Sequence, residues 1–262
     1  MSRRAAIAAM GGAGAALLVA CSSAGQSAST TTTAAAAGPT STTLGASTST
    51  ALAGCAVLTQ EQEQGPFYYE AAKVRSDITD GKTGAPMQLR LTVMDINTCE
   101  PVPNAAVDVW QADALGNYSD TGTGLFLRGI QITDANGVAT FTSIYPGWYP
   151  SRTNHVHVKV HLEGTASATY SGGHVSHTGN LFFPEDISLA VAKVAPYTDN
   201  PTKDRVTLTS DFVYKGQSGS GSIMTLTPVN AADPTAGCGA AMVLGIDPAA
   251  TPSSIGIAGT VN

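Results

Sequence analysis

Residues 155–162 read His-Val-His-Val-Lys-Val-His-Leu, a strict polar and apolar alternation. That period suits a half-buried β-strand and suits no helix. His155, His157, Lys159 and His161 leave one face, and Val156, Val158, Val160 and Leu162 leave the other. Two same-face positions on a strand lie about 6.6 Å apart. Two imidazoles at that spacing can close on one ion about 2.0–2.2 Å from each nitrogen. The pair is a candidate metal clamp, although a lone His-x-His is also the ordinary polar face of an exposed strand.

The same period recurs along the chain. Met87 to Asp95 alternates, Asn97 to Asn104 is turn chemistry, and Ala105 to Trp110 alternates again. Residues 129–133 and 138–144 flank Asp134-Ala135-Asn136-Gly137, a hairpin with an Asn-Gly turn. Further strands are expected at Leu181-Phe182-Phe183, after a polar loop carrying His174 and His177, and near 206–214, 222–227 and 240–245. Thr59 with Gln62 or Glu63 predicts a short capped helical turn before Gly65-Pro66. Short strands between Gly and Pro turns, with no long helical period and no internal repeat, describe an all-β antiparallel β-sandwich.

Residues 1–21 form a separate unit. Ser2-Arg3-Arg4 precedes a short apolar stretch that ends Leu18-Val19-Ala20-Cys21, the pattern of a signal peptide. The arginine pair suggests the twin-arginine route, and Leu-Val-Ala-Cys reads as a lipobox with lipidation at Cys21. Residues 22–53 are nearly all Ser, Thr, Ala and Gly, a tether too polar to fold. The expected folded domain is 54–262. Localisation follows as exported, and either lipid-anchored at the outer face of the cell membrane or secreted. The net charge of −6 and the lack of a Lys/Arg run beyond the first four residues exclude nucleic acid as the main partner. Membrane contact is expected only through Cys21. In an oxidising compartment Cys55, Cys99 and Cys238 leave one pair and one remainder. Cys55 with Cys99 is favoured because both sit just outside strand-like runs at the start of the domain. Sequence does not fix the connectivity.

Two tyrosines share the setting of the histidine pair. Tyr149 stands six residues before His155, and Tyr118 follows Gly116-Asn117 in a loop after a strand. A phenol becomes a good ligand only when a strongly Lewis-acidic ion displaces its proton. Fe(III) is hard, favours anionic oxygen and still accepts imidazole.

With those residues in place, the sequence resembles the intradiol ring-cleavage dioxygenases, the family of catechol and protocatechuate 3,4-dioxygenases. The resemblance covers roughly residues 60–190. It is carried by Gly65-Pro66-Phe67-Tyr68, by Pro103 to Asp113 leading to Gly116-Asn117-Tyr118, by Thr133 to Gly137, and by Pro146-Gly147-Trp148-Tyr149-Pro150 leading to Arg152 and His155-Val156-His157. It implies the β-sandwich of the intradiol core and a mononuclear non-haem Fe(III) held by Tyr118, Tyr149, His155 and His157. Tyr149 corresponds to the tyrosine that leaves the metal when a 1,2-diphenol binds, and Arg152 to the arginine beside the substrate ring. Pro66 and Tyr68 match the segment lining the aromatic pocket. Asn180 stands where the family usually has Gln, one carbon shorter. The implied reaction opens a catechol-type diphenol between its hydroxyls with O2, giving a muconate-type diacid. The long helical segment by which cytosolic catechol dioxygenases dimerise is not present before the domain, so a monomer or another kind of assembly is expected. His161, His174 and His177 are expected as surface groups or as neighbours of the ligands, and Trp110 and Trp148 as core.

Two other readings use the same residues. One is a non-catalytic extracellular β-sandwich module that binds an aromatic compound or a carbohydrate. The other is an enzyme with a ferrous triad of His155, His157 and a carboxylate such as Asp113.

Overall fold

The computed structural model describes residues 56–70, 73–120, 124–253 and 255. The leader at 1–21 with Cys21, the tether at 22–53, and Cys55 all lie outside the described residues. The strands in chain order are β1 (Pro86–Asp95), β2 (Ala106–Gln111), β3 (Arg128–Ile132), β4 (Val138–Ile144), β5 (His155–Leu162), β6 (Thr165–Ala166), β7 (Tyr170–Ser171), β8 (His174–Phe182), β9 (Thr225–Pro228) and β10 (Cys238–Ile246). The α-helices are α1 (Glu185–Val191) and α2 (Phe212–Gly216).

Two four-stranded sheets carry the fold, one in the order β4-β1-β10-β9 and the other β3-β2-β5-β8. Their facing sides share one core. Leu89, Leu91, Val93, Phe141, Leu244 and Ile246 come from the first sheet, and Val107, Val109, Val156, Val158, Val160 and Leu181 from the second. Each such fully buried side chain contributes about 1.5–3 kcal/mol. Pairing is antiparallel except between β1 and β10, which run parallel from Met87↔Cys238 to Asp95↔Ile246. No hairpin joins those two strands, so no turn dictates their relative direction.

The two sheets differ in a way the alternation alone does not reveal. β1 alternates buried and open positions, with Met87, Leu89 and Leu91 inward and Gln88 and Arg90 outward. β5 is buried on both faces, with His155, His157 and Lys159 as enclosed as the valines between them. Its polar side is covered by Gly65 against His157, by Tyr68 against Lys159, and by the loops that carry Tyr118 and Tyr149. The alternation in β5 therefore separates core from site rather than core from solvent.

Several local expectations are corrected. His174 and His177 lie inside β8 rather than in a loop, because β8 pairs along most of β5 from Leu162↔His174 to His155↔Phe182. Residues 206–214 form a 3-10 turn at Leu208–Ser210 followed by α2 instead of a strand. Asp211 caps α2 by accepting the amides of Val213 at 2.9 Å and Tyr214 at 3.1 Å. Near 222–227 the chain first makes a 3-10 turn at Gly219–Ser222, and β9 begins at Thr225. The helical turn expected at Thr59 to Glu63 is extended chain bridging Gly245 and Ile255 through Leu58 and Glu63. Thr59 accepts the amide of Gly245, and Gln62 accepts that of Asn180, so neither side chain remains for a helix cap. Cys99 is disulfide-bonded, and Cys238 is a free, buried thiol.

Candidate metal centre

β5 enters the sheet from a tight turn. The amide of Arg152 donates to the carbonyl of Tyr149 at 3.1 Å, and Ser151 takes the left-handed conformation between them, with φ 71°. The turn sets the side chains of Tyr149 and Arg152 next to each other, and two residues later His155 opens the strand. Tyr118 arrives from the neighbouring loop. Asp113 accepts the amides of Leu115 and Asn117, and Gly147 donates to the Asp113 carbonyl, which ties this loop to the chain before Tyr149. Gly116, with φ +85°, passes so close to Trp148 that a Cβ there would lie 2.3 Å from the Trp148 carbonyl oxygen. Only glycine lets the two tyrosine loops pack together.

Three donor atoms gather around His155. Its Nε2 lies 3.4 Å from Tyr118 Oη, 3.3 Å from Tyr149 Oη and 3.2 Å from His157 Nε2. The two phenols also hydrogen-bond each other. His155 Nδ1 donates to the Thr153 carbonyl at 2.7 Å, which places the lone pair on Nε2, toward the other three groups. His157 stacks on Trp110 with ring centroids 4.9 Å apart and planes within 1°. Phe67 stacks on Tyr118 at 4.4 Å and meets Tyr149 edge-on at 5.8 Å.

This donor set fits a single cation. Four ligands each about 2.0–2.1 Å from a shared centre in a tetrahedral arrangement stand about 3.3–3.4 Å apart, the separation found around His155 Nε2. Burial, with Arg152 next in effect, lowers the His155 pKa to about 3, and burial also holds His157 well below its ordinary value. Both rings are therefore neutral. Burial raises both phenols above their usual range, and for Tyr118 the neighbouring Tyr149 adds to it. Only a strong Lewis acid would take their protons near neutral pH, and hard Fe(III) meets that requirement.

Among the described residues no group of three His, Cys, Asp or Glu side chains could hold a metal. Asp113, the carboxylate of the ferrous alternative, is bonded to Lys82 at 2.9 Å and to its own loop. An ion at this centre must be held through the tyrosines.

Arg152 is 3% exposed, with Nη1 3.5 Å from Tyr149 Oη. Its Nε donates to Asp211 at 2.9 Å, Nη1 to Glu63 at 3.2 Å and Nη2 to Asn180 at 2.9 Å. Asn180 lies opposite His157 in the β5–β8 register and returns a bond to the Glu63 carbonyl. Burial, partly offset by Arg152, raises the Glu63 pKa. Pro66 is exposed at a turn. Tyr68 turns away from the four donors, giving its hydroxyl to Asp108 at 3.2 Å and resting on Trp110. With Asp108, His161 and Tyr170 it lines a cavity of about 410 Å³. The aromatic side chain of that motif that touches the centre is Phe67. His161 lies 3.8 Å from Asp108, His174 Nε2 donates to the Pro248 carbonyl at 3.0 Å, and buried His177 pairs with Glu61. Sequence reading gave no role in the site to Glu63, Phe67 or Asp211. Asp211 alone left a signal, an N-cap residue before Phe212-Val213-Tyr214.

A β-sandwich whose covered sheet brings two phenols and two imidazoles together offers a candidate centre for a single non-haem metal ion. The family model described as Dioxygenase matches residues 63–216, a stretch that holds all four donors with Arg152, Asn180 and Asp211. The chain belongs to the intradiol ring-cleavage dioxygenase family. It is 33% identical over 120 residues to a hydroxyquinol 1,2-dioxygenase of Corynebacterium glutamicum, covering 42% of this chain and 39% of that protein. It is 29% identical over 143 residues to the protocatechuate 3,4-dioxygenase beta chain of Burkholderia cepacia, covering 48% and 57%. Those matches span well under two thirds of either relative. An intradiol ring-cleavage dioxygenase from Tetranychus urticae superposes with a TM-score of 0.67 at 29% identity, over 76% of this chain and 98% of that one. The dioxygenase domain of a dioxygenase carbohydrate-binding fusion from Streptomyces sp. SirexAA-E gives 0.52 at 26%, over 73% and 99%.

Proposed function

We propose that this chain is an Fe(III)-dependent intradiol dioxygenase that opens a catechol-type 1,2-diphenol between its hydroxyls. One diphenol and one O2 give one muconate-type diacid. Both oxygen atoms end in the product, and no external reductant is consumed. The observation that carries the reading is the convergence of Tyr118 Oη, Tyr149 Oη and His157 Nε2 on His155 Nε2 at 3.2–3.4 Å.

Tyr118, Tyr149, His155 and His157 would hold the iron. When bound, it would supply the Lewis acidity that makes diphenol hydroxyls acidic and the one-electron chemistry that lets O2 react with the ring. The chain's own groups do the rest. Tyr149 Oη, beside Arg152 at the mouth of the turn, receives the proton of one substrate hydroxyl, and burial favours its protonated form. The guanidinium of Arg152 stabilises negative charge as it develops on the ring carbon under attack. Phe67 covers the rings of Tyr118 and Tyr149 and keeps water from that side of the centre.

The reading also places the protein outside the cytoplasm, lipid-anchored through Cys21 or secreted. The leader pattern at 1–21 supports this, as does the disulfide at Cys99, a bond rare in the reducing cytosol.

The test is to load the full chain with Fe(III) and supply catechol. The expected result is a burgundy protein with one iron per chain, consuming one O2 per catechol and yielding the ring-opened diacid. His157→Ala should lose both iron and colour. A colourless loaded protein that binds aromatic ligands equally well after His157→Ala would overturn the reading in favour of a non-catalytic module.

A further inference from the structure

We infer that Asp211 is a positioning residue for the proposed ring cleavage, clamping Arg152 and the backbone that orients His155 with a single carboxylate. The inference rests on the reading just given. Asp211 is 0% exposed and sits 59 residues beyond Arg152 in sequence, at the start of α2.

Four N–H groups converge on its two oxygens. Oδ2 accepts Arg152 Nε at 2.9 Å and the Thr153 amide at 2.9 Å. Oδ1 accepts the amides of Val213 and Tyr214. Thr153 is thereby fixed at both ends, since its carbonyl accepts His155 Nδ1–H at 2.7 Å. The residue after the carboxylate adds a second hold, because the Phe212 ring lies 5.3 Å from the Arg152 guanidinium carbon. The first turn of α2 thus grips the arginine from two directions and, through Thr153, sets the imidazole whose Nε2 lies amid the other donors.

The other anion near Arg152 does not have this reach. Glu63 meets Nη1 at 3.2 Å through one oxygen, and its other oxygen is buried without a partner. Asn180 holds Nη2 but touches neither Thr153 nor the helix. Among the described residues Asp211 alone links the cation beside Tyr149 to the ring orientation of His155. Against four donors Asn is a poor replacement, since its NH2 must face two of them. Ser is the informative one. A serine hydroxyl still caps a helix but is too short to reach Arg152 as well.

The experiment compares wild type, Asp211→Ser, Arg152→Lys and the double variant, in the full chain. In the metal-free protein the Arg152 Nε–H should exchange slowly with solvent, and Asp211→Ser should make it exchange at least tenfold faster. In the iron-loaded protein Asp211→Ser should keep one iron and the charge-transfer band. Its kcat for catechol should fall about tenfold to hundredfold, with KM within about twofold, the cost of a charge misplaced by about an ångström. In the Arg152→Lys background Asp211→Ser should lower kcat by clearly less than it does in wild type, because the part that acts through Arg152 is gone and only the hold on Thr153 and His155 is left. An unchanged Arg152 Nε–H overturns the clamp. A kcat loss that multiplies with that of Arg152→Lys, or that only follows a fall in Tm, overturns the positioning role. A wild-type chain that takes up iron but opens no diphenol removes the function and the role together. The metal-free exchange result separates that outcome from failure of the clamp.

Discussion

His155 spends one nitrogen on the Thr153 carbonyl, and that bond decides what the other nitrogen can do. A ring whose hydrogen is committed to Nδ1 presents a lone pair at Nε2, and the two phenols lie within 3.4 Å of it. The phenols differ in their neighbours. Tyr149 has Arg152 Nη1 at 3.5 Å, whereas Tyr118 is stacked beneath Phe67. Tyr149→Phe should therefore keep iron and part of the phenolate-to-iron absorption through Tyr118, while kcat falls about 10²–10³-fold with loss of the proton acceptor. Tyr118→Phe/Tyr149→Phe should be colourless. Visible spectra of loaded protein beside oxygen-uptake rates check both expectations, and a double variant that stays burgundy contradicts them. A residue outside the centre allows a separate check. Burial pushes the Cys238 thiol up to about 11. At pH 8 its thiolate is then about one part in a thousand, against about one in four for an ordinary thiol. Iodoacetamide at pH 8 should leave Cys238 unmodified in the folded protein and label it in denaturant, as read by mass spectrometry.

At the scale of elements, the centre is a junction of two loops held by backbone contact. Gly116→Ala places a methyl 2.3 Å from the Trp148 carbonyl oxygen in a left-handed conformation. The expected cost is about 2–4 kcal/mol, with a weakened chromophore because Tyr149 adjoins the displaced peptide. Gly81 is the control. Its φ is +75° but nothing lies within 4 Å of a Cβ there, so Gly81→Ala should cost only about 1 kcal/mol and leave the chromophore unchanged. Urea midpoints with visible spectra compare the two, and equal effects would remove close packing as the explanation. The same scale shows what was readable in advance. β5 announced itself because an eight-residue alternation is a local signal; Tyr149 was found six residues before it, Tyr118 in the Gly116-Asn117 loop after a strand, and the family resemblance joined the four. β8 was hidden, because Ser176, Thr178, Gly179 and Asn180 look like a loop unless one knows that β5 lies alongside. The stretch 206–214 was misread because apolar residues at its ends imitate a strand, while the signal that breaks it is a single residue, Asp211, which caps Val213 and Tyr214 with the same carboxylate that holds Arg152, 59 residues away. Glu63 and Phe67 gave no periodic signal, since their segment is placed by contacts with β8, β10 and the tyrosines rather than by its own pattern.

For the whole molecule, the consequence is that folding and metal binding should be linked. The four donors come from two loops and one strand, and β1 and β10, which close the first sheet, lie about 150 residues apart in sequence. An unfolded chain therefore has no preformed site, and whatever free energy iron releases on binding is added to the stability of the folded state. With one site and free ligand at about a thousand times Kd, the gain is about 4 kcal/mol. For a domain of this size each kcal/mol moves Tm by about 2–4 °C. Adding excess Fe(III) as a soluble citrate chelate should thus raise Tm by about 8–16 °C, in step with the appearance of the charge-transfer band. The chelate can also stabilise a protein through its anion or through weak surface sites. Tyr118→Phe/Tyr149→Phe and His157→Ala remove donors without removing the core, and neither should gain more than about 2 °C. Gallium(III) citrate has the same charge and no accessible redox change, and it should stabilise wild type without colour or turnover. If the double variant rises as far as wild type, the stabilisation comes from the chelate, and the linkage between these four residues and the fold is refuted.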